Sequence, residues 1–502
     1  MQRYLLALDQ GTTASRAILF NTDGTIAASS QYEFPQYYPQ AGYVEHDVEE
    51  LYTSQYRAIV DVLTDAAVRE GEVIGIGVTN QRETAIVWDK RTGRAVHPAI
   101  VWQCRRTAPL CEKLIEEGYS EHVQRTTGLR IDAYFSATKL RYILDNIEDG
   151  QRRAESGELM AGTVDSYLIY RLCGEHVTDY SNASRTMLFD IHRLDYDETL
   201  LKRLNLPRCI LPKPLPSVGI FGTVGCIEGL EALKGVPISG VAGDQQAALF
   251  GQACLYAGQA KCTYGTGSFL MMNTGERAVT SENELLTTIA WGLDGKVEYA
   301  LEGSIFNAGS SIKWLRDEMK LIEHSHEVDR YAEEVSSSNG CYFVSAFTGL
   351  GAPHWDMYAR GALVGLTRDV NRNHVCRAVL EGIAYQVYDL ARTMERDCKM
   401  QLSALKVDGG ASVSDVMMQF QSDLLNIPVN RPRCVESTAL GAAMLSGLGA
   451  GFFKDKGEII KLWQSERIFM PAMEETRRAE LLKGWKKAVE RAKSWAVTDE
   501  GR

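Results

Sequence analysis

Asp9-Gln10-Gly11-Thr12-Thr13-Ala14-Ser15-Arg16 gathers a carboxylate, a glycine, hydroxyls and a guanidinium into one short stretch. Glycine lets a turn open its backbone amides toward an anion. Thr12 and Thr13 add hydroxyl donors, and Arg16 adds a permanent positive charge. Asp9, at the end of an apolar run, is suited to hold a magnesium ion through water. Taken alone, the stretch also reads as a plain β-turn. Thr263-Tyr264-Gly265-Thr266-Gly267-Ser268 repeats the same features, and Val407-Asp408-Gly409-Gly410-Ala411-Ser412 adds a third glycine turn. The chain contains no GxxxxGK[ST] pattern and no GxGxxG after its first strand, so the two familiar phosphate loops are excluded. One early and two late turns at strand ends suit a nucleotide clamped between two lobes.

A second group of residues is suited to bind a small polar substrate. Asn80-Gln81-Arg82-Glu83-Thr84, Trp102-Gln103-Cys104-Arg105-Arg106 and Gly243-Asp244-Gln245-Gln246 each follow a strand-like run, and Tyr134-Phe135-Ser136 precedes a helical pattern. Strand ends are where α/β proteins place their sites. Each residue also has an ordinary reading. Arg82–Glu83 fits a surface ion pair, Trp102 fits a core position, and Asp244 fits a helix N-cap.

The elements that must position these residues alternate between strand and helix, which is an α/β pattern. Tyr4–Asp9, Ser15–Phe20 and Thr25–Phe34 read as three strands, with Asp23-Gly24 as a hairpin signal. A helical pattern covers 48–70, a buried-looking strand covers 73–80, and a hairpin is expected through Ile86–Trp88. The opening scheme recurs in Ala260–Tyr264, Gly265-Thr266-Gly267 and Ser268–Asn273. This predicts a duplication of architecture: lobes over 1–251 and 252–502, with no Pro/Gly/Ser linker between them and a close interface. Residues 474–497 read as a basic amphipathic helix with Leu482, Trp485, Val489, Ala492 and Ala496 on one stripe. Docking on a lobe is the expectation, and a membrane or partner surface is the alternative.

The chain has 502 residues, 45% hydrophobic and 24% charged, so it can bury large cores and is not a disordered or fibrous chain. Its net charge of −11 argues against a nucleic-acid partner. Eleven scattered cysteines form no CxxC or zinc-spaced cluster, and reduced thiols fit them best. The Tyr4–Leu8 run is too short for a signal segment, and no run reaches the ~18 apolar residues of a membrane span. A cytoplasmic enzyme without stable membrane insertion is expected.

The three turns together resemble the superfamily of actin, the heat-shock ATPases, hexokinase and the sugar kinases. Longer stretches narrow this. ALDQGTT at 7–13, TNQRET at 79–84, VWQCRRT at 101–107, TDYSNASRTMLF at 178–189, AGDQQAALFGQ at 242–252, TYGTG at 263–267 and FTGLGAP at 347–353 resemble the FGGY carbohydrate kinase family, within it the members that phosphorylate glycerol. Two signature regions, 134–146 and 361–381, are present, with Tyr142 where the family usually has tryptophan. The resemblance spans essentially 1–497. It implies two actin/ribonuclease-H-like lobes, each a mixed sheet flanked by helices, with the active site in the cleft between them. It implies ATP and Mg²⁺ as cofactors, glycerol as acceptor, sn-glycerol 3-phosphate as product, and a homodimer or homotetramer. Arg82, Glu83, Tyr134, Asp244 and Gln245 would bind the hydroxyls, with Asp244 as general base. Trp102 and Phe269 would pack on the carbons. Thr12, Thr13, Ala14, Arg16 and Thr266 would meet the phosphates, and Gly309, Lys313, Gly410 and Ser414 the rest of the nucleotide. The runner-up acceptors are another small polyol or a ketose, and a non-catalytic nucleotide-driven binding protein is the alternative from a different class.

Two of the nucleotide-contact positions also depart from the family's pattern. Lys313 stands where glutamine is usual and Ser414 where asparagine is, and both lose an amide that donates and accepts. Some members bind fructose 1,6-bisphosphate through a glycine/arginine loop. The corresponding Gly225–Glu231 has no arginine and two glutamates, so no such inhibition is expected. Residues 193–323 contain no histidine, so control by histidine phosphorylation there is not expected either.

Overall fold

The computed structural model describes residues 2–497. Its first half carries β1 (Tyr4–Gln10), β2 (Ala14–Asn21), β3 (Ile26–Glu33), α1 (Val48–Asp65), β4 (Val73–Asn80), β5 (Val218–Thr223), β6 (Pro237–Gly243) and α2 (Asp244–Gly251). The second half carries β7 (Ala260–Tyr264), β8 (Ser268–Gly275), β9 (Leu286–Leu293), β10 (Lys296–Ile305), α3 (Gly309–Asp317), α4 (Arg372–Cys398), β11 (Leu405–Asp408), α5 (Asp415–Leu425), β12 (Val429–Pro432), α6 (Ser437–Gly449), β13 (Ser465–Phe469) and α7 (Glu475–Ala492).

The first sheet runs β5-β6-β4-β1-β2-β3 and the second β9-β10-β8-β7-β11-β12-β13. In the first, β1, β4 and β6 are mutually parallel and the remaining pairs antiparallel. In the second, β7, β11 and β12 are parallel and the rest antiparallel. The architecture is therefore duplicated: β1-β2-β3 matches β7-β8-β10, and β9 is an added edge strand. β1 is buried at every position, as a central strand covered on both faces must be. Asp47 starts α1 by accepting the backbone N–H groups of Glu49 and Glu50.

Between β4 and β5 lies an insertion with its own core, built on Phe135, Leu140, Phe189 and their neighbours. The strand Ile86–Asp89 turns back through 90–93 as the expected hairpin, with Asp89 N–H donating to Arg94 O at 2.9 Å and Val96 N–H to Val87 O at 3.0 Å. It also pairs antiparallel with Leu159–Gly162. The chain at 80–84, between β4 and this strand, is a run of buried polar residues with Glu83 at φ +62°. The helical pattern expected to Glu70 stops at Asp65, where Ala67 turns to φ +48°.

The two halves share more than a cleft. α6 comes from the second half but packs on the first sheet and on α2. It is apolar and buried almost all round, as a helix between two layers must be. Close approach needs small residues: a Cβ on Gly77 would overlap the Ala442 carbonyl, and one on Gly441 would overlap the Ala247 carbonyl.

α7 docks on the second lobe. The Trp485 ring stacks on Tyr385 at 5.0 Å, and its Nε1 donates to Asp389 Oδ2 at 2.7 Å. Leu481, Ala488, Val489 and Ala492 are buried beside it, and Leu482 is half-buried. Ala496 of the expected stripe lies past the end of the helix. Among the described residues no helix is long and apolar enough to cross a membrane. All eleven cysteines are free, and most of them, Cys104 and Cys111 included, are buried.

Candidate active site

The parallel strands β1, β4 and β6 end side by side. Asp9 pairs with Thr79, and Thr79 pairs with Ala242 on its other side. The chain beyond these ends therefore brings Gln10, Gln81-Arg82-Glu83 and Asp244 together. The second lobe repeats this: Thr263 pairs with Asp408, so the turns at Tyr264 and Gly409 adjoin. Gly409 has φ +87°, and a Cβ there would come 2.6 Å from the Tyr264 carbonyl oxygen, so only glycine fits.

The first turn closes with Gly11 N–H donating to Ala14 O at 2.9 Å. Thr12 is partly exposed and Thr13 exposed, while Ala14 is buried in β2. The turn is braced from behind by residues that sequence reasoning missed. Gln36 Nε2 donates to Thr12 O at 3.0 Å, Gln81 Nε2 donates to Gly11 O at 3.1 Å, and His46 Nε2 lies 2.7 Å from Gln36 Oε1. Burial pushes His46 down to about 4, so the ring stays neutral. Arg16 Nη1 donates to Glu436 Oε2 at 2.8 Å, across the lobe boundary.

The second turn closes with Gly265 N–H to Gly267 O at 2.8 Å and exposes Thr266. Gly309 N–H donates to Gly265 O at 2.9 Å, and Ser310 N–H to Thr266 O at 3.1 Å, which pins the start of α3 to this turn. Lys313 is exposed one turn further along α3. Gly410 is exposed with open space where a Cβ would lie, a cradle free for a ligand. Ser414 is different. It is buried, its Oγ donates to Asp329 Oδ1 at 2.5 Å, and it caps α5 by accepting from Met417 N–H at 3.1 Å. Its hydroxyl is committed to the fold rather than turned to a nucleotide.

The second group of candidate residues converges on Arg82. Arg82 is 3% exposed and Glu83 is 1% exposed, so the surface-pair reading fails. Arg82 Nε lies 3.2 Å from Asp244 Oδ1 and 3.8 Å from Glu83 Oε1. Asp244 opens α2 as its first residue, with Gly243 as the cap, and faces the cleft with about a third of its side chain exposed (32%). Burial raises its pKa, with Arg82 opposing, which brings a carboxylate nearer the range of an effective base.

Trp102 is half-buried, stands edge-on to Tyr134 at 5.6 Å, and donates from Nε1 to Thr12 Oγ1 at 3.0 Å. One hydrogen bond therefore joins the aromatic pair to the first glycine–threonine turn. Burial pushes the Tyr134 phenol up, so it stays a neutral donor. Gln245 is held by Lys261, a buried lysine on β7 that also donates to Thr263 Oγ1 at 2.8 Å. Phe269, on β8 opposite Thr263, is half-buried on the far lobe.

Asp9 is buried and pushed up to about 7, by burial first, with Arg16 opposing and Asp244 and Glu436 adding repulsion. A carboxylate so crowded by negative charge fits a divalent cation. Among the described residues no cluster of three or more His, Cys, Asp or Glu side chains forms a metal cage. Asp9 would be suited to hold Mg²⁺ through water.

Comparison with known proteins bears on the family and the fold. The N-terminal domain of the FGGY family of carbohydrate kinases matches residues 4–251, and its C-terminal domain matches 260–450. A glycerol kinase of Thermoanaerobacter sp. is 55% identical over 499 residues, covering 99% of this chain and all of its own. One from Alkaliphilus oremlandii is 54% identical over 504 residues, covering 100% of this chain and 99% of its own. The crystal structure of Plasmodium falciparum glycerol kinase with ADP is 36% identical, with a TM-score of 0.93 and 98% of each chain covered. A xylulose kinase of Lactobacillus acidophilus, at 22% identity, a TM-score of 0.87 and 99% of each chain covered, shares the fold. With both domain models matched and more than half of all residues identical along the whole length, the chain belongs to the FGGY family of carbohydrate kinases.

Proposed function

We propose that the chain transfers the γ-phosphoryl group of ATP to a terminal hydroxyl of glycerol, giving sn-glycerol 3-phosphate and ADP. The observation that carries this reading is the joining of two sites: the Arg82–Asp244 pair and the Trp102–Tyr134 wall meet the first phosphate turn through the Trp102–Thr12 hydrogen bond. The names of the full-length relatives, 54–55% identical, support the same acceptor, and the ADP of the Plasmodium falciparum structure supports the donor.

Asp244 accepts the proton of the attacking hydroxyl as its oxygen bonds to the γ-phosphorus. The bond from that phosphorus to the β,γ-bridging oxygen breaks, and ADP leaves. Arg82, Glu83, Tyr134 and Gln245 fix the hydroxyls, while Trp102 and Phe269 border the carbons and exclude water. The turns at Gly11 and Gly265, with Thr12, Thr13, Thr266 and Arg16, orient the phosphates. Asp9 would hold Mg²⁺ through water, and the bound ion would supply neutralisation of the charge that develops on the phosphate oxygens. Apposition of the lobes shields the γ-phosphate from water.

The same reading carries lobes at 1–251 and 252–502, a cytoplasmic location, and a homodimer or homotetramer, which light scattering after gel filtration checks. ADP formation in a coupled assay, measured with glycerol, other small polyols and ketoses, tests the function. The expected result is strong stimulation by glycerol. A ketose outperforming glycerol, or ATP turnover indifferent to every acceptor, would overturn it. A site that hydrogen-bonds each hydroxyl rejects analogues lacking one by large factors, so a propanediol is expected to be a poor acceptor.

A further inference from the structure

Behind Arg82 and Glu83 sit two charged residues that the reaction does not use. Arg185 comes from the 178–189 stretch and is fully buried. Its Nε donates to Glu83 Oε1 at 2.6 Å and its Nη2 to Glu302 Oε1 at 3.2 Å. The third guanidinium nitrogen, Nη1, has no hydrogen-bond partner among the described residues. Glu302 is 1% exposed and belongs to β10, in the sheet of the other lobe. Both of its oxygens grip Arg82: Nη1 donates to Oε2 at 2.5 Å and Nη2 to Oε1 at 3.0 Å. Gln246 takes a further bond from Arg82 Nη1 at 3.2 Å.

Glu83, Arg185, Glu302 and Arg82 thus close a buried ring of alternating charge. Two positive and two negative groups balance, and Asp244 faces the cleft as the one carboxylate in excess. Burial opposes ionisation of Glu302, but Arg185 and Arg82 hold its carboxyl down at about 2, so it stays charged across the working pH range. Such a cluster is poorly explained by folding alone, because apolar residues of similar volume commonly serve as well or better. Its geometry points elsewhere. A bidentate carboxylate fixes the plane of a guanidinium. With both Nη atoms taken from behind, Arg82 is left to present its Nε edge to Asp244.

We propose that Glu302 and Arg185 are positioning residues that orient Arg82 and Glu83 toward the polyol, and that Glu302, reaching in from the nucleotide lobe, couples apposition of the lobes to acceptor recognition. The inference rests on the glycerol reading above.

Glu302→Gln keeps the shape and removes the charge. The expected result is a glycerol KM raised at least tenfold with the ATP KM changed less than about threefold. The Glu302 charge raises the Asp244 pKa, so its removal shifts the acid limb of the kcat/KM profile to lower pH. Glu302→Asp is expected to restore part of the loss. A folded Glu302→Gln enzyme whose glycerol KM and acid limb match the wild type overturns the proposal, as does a loss of kcat with both left unchanged. Where the single variant does not fold, the double variant Arg185→Gln/Glu302→Gln removes one charge of each sign. It is expected to show the same rise in glycerol KM, and a normal KM there is equally fatal. A wild type without glycerol-dependent ADP formation sinks the glycerol reading itself. A glycerol-active wild type beside an unaltered Glu302 variant sinks this inference alone.

Discussion

Arg16 and Glu436, 420 positions apart in sequence, form an ion pair at 2.8 Å that ties the first glycine–threonine turn to the start of α6. Both side chains are about a third exposed (37% and 32%), so the pair contributes little to stability, on the order of 0–1 kcal/mol. Its consequence is for the nucleotide, because the Glu436 carboxylate occupies a guanidinium that phosphate oxygens would otherwise take. Glu436→Gln is therefore expected to lower the KM for ATP about threefold, most clearly at low salt, with Tm nearly unchanged. Steady-state kinetics at two ionic strengths check this. A raised KM would mean that Glu436 aims Arg16 and does not compete for it.

Asp244→Asn removes the base and keeps the shape. General-base loss commonly costs about 10²–10⁴-fold in rate, and kcat is expected to fall in that range with glycerol binding within a few fold of normal. Calorimetric titration of glycerol, beside turnover, separates the two effects. Near-normal turnover would remove Asp244 from the mechanism.

Asp9 gives a signed pH effect. Its pKa is raised from 3.8 to about 7, so the folded protein binds more protons than the unfolded chain between those values. Stability therefore falls as pH rises through this window. Asp9→Asn lacks that slope and is expected to gain Tm over the wild type at pH 7.5 but not at pH 4.5. It is also expected to lose MgATP-dependent turnover. Melting curves at both pH values decide it, and parallel Tm shifts at the two would contradict the buried-carboxyl account.

Gly441→Ala tests the helix shared by the lobes. Its Cβ would overlap the Ala247 carbonyl, which is backbone and cannot swing aside. Overpacking of this kind costs about 1–3 kcal/mol or more. The expected outcome is a clear drop in Tm and in kcat together, because α2, which carries Asp244, must move. Gly71→Ala serves as the control, since its Cβ would meet nothing but its φ is +82°. Loss of Tm without loss of kcat is expected there.

Much of the site was legible in the chain because it is local. The glycine–threonine turns at 9–16, 263–268 and 407–412 announce themselves through residues a few positions apart, and so does the strand alternation that repeats the architecture. Resemblance over long motifs assigned Arg82, Glu83, Trp102, Tyr134, Asp244 and Gln245 to one pocket. What the sequence could not set is which distant side chains stand behind them. Glu302 reaches Arg82 over 220 positions, Lys261 crosses from β7 to hold Gln245, and Ser414 turns its hydroxyl inward to Asp329. Ile86–Asp89 likewise finds its partner at 159–162. Local pattern reports backbone propensity and the buried face, both short-range properties. Pairing of charges and strands across lobes depends on how sheets and helices are brought together, and only the tertiary fold decides that.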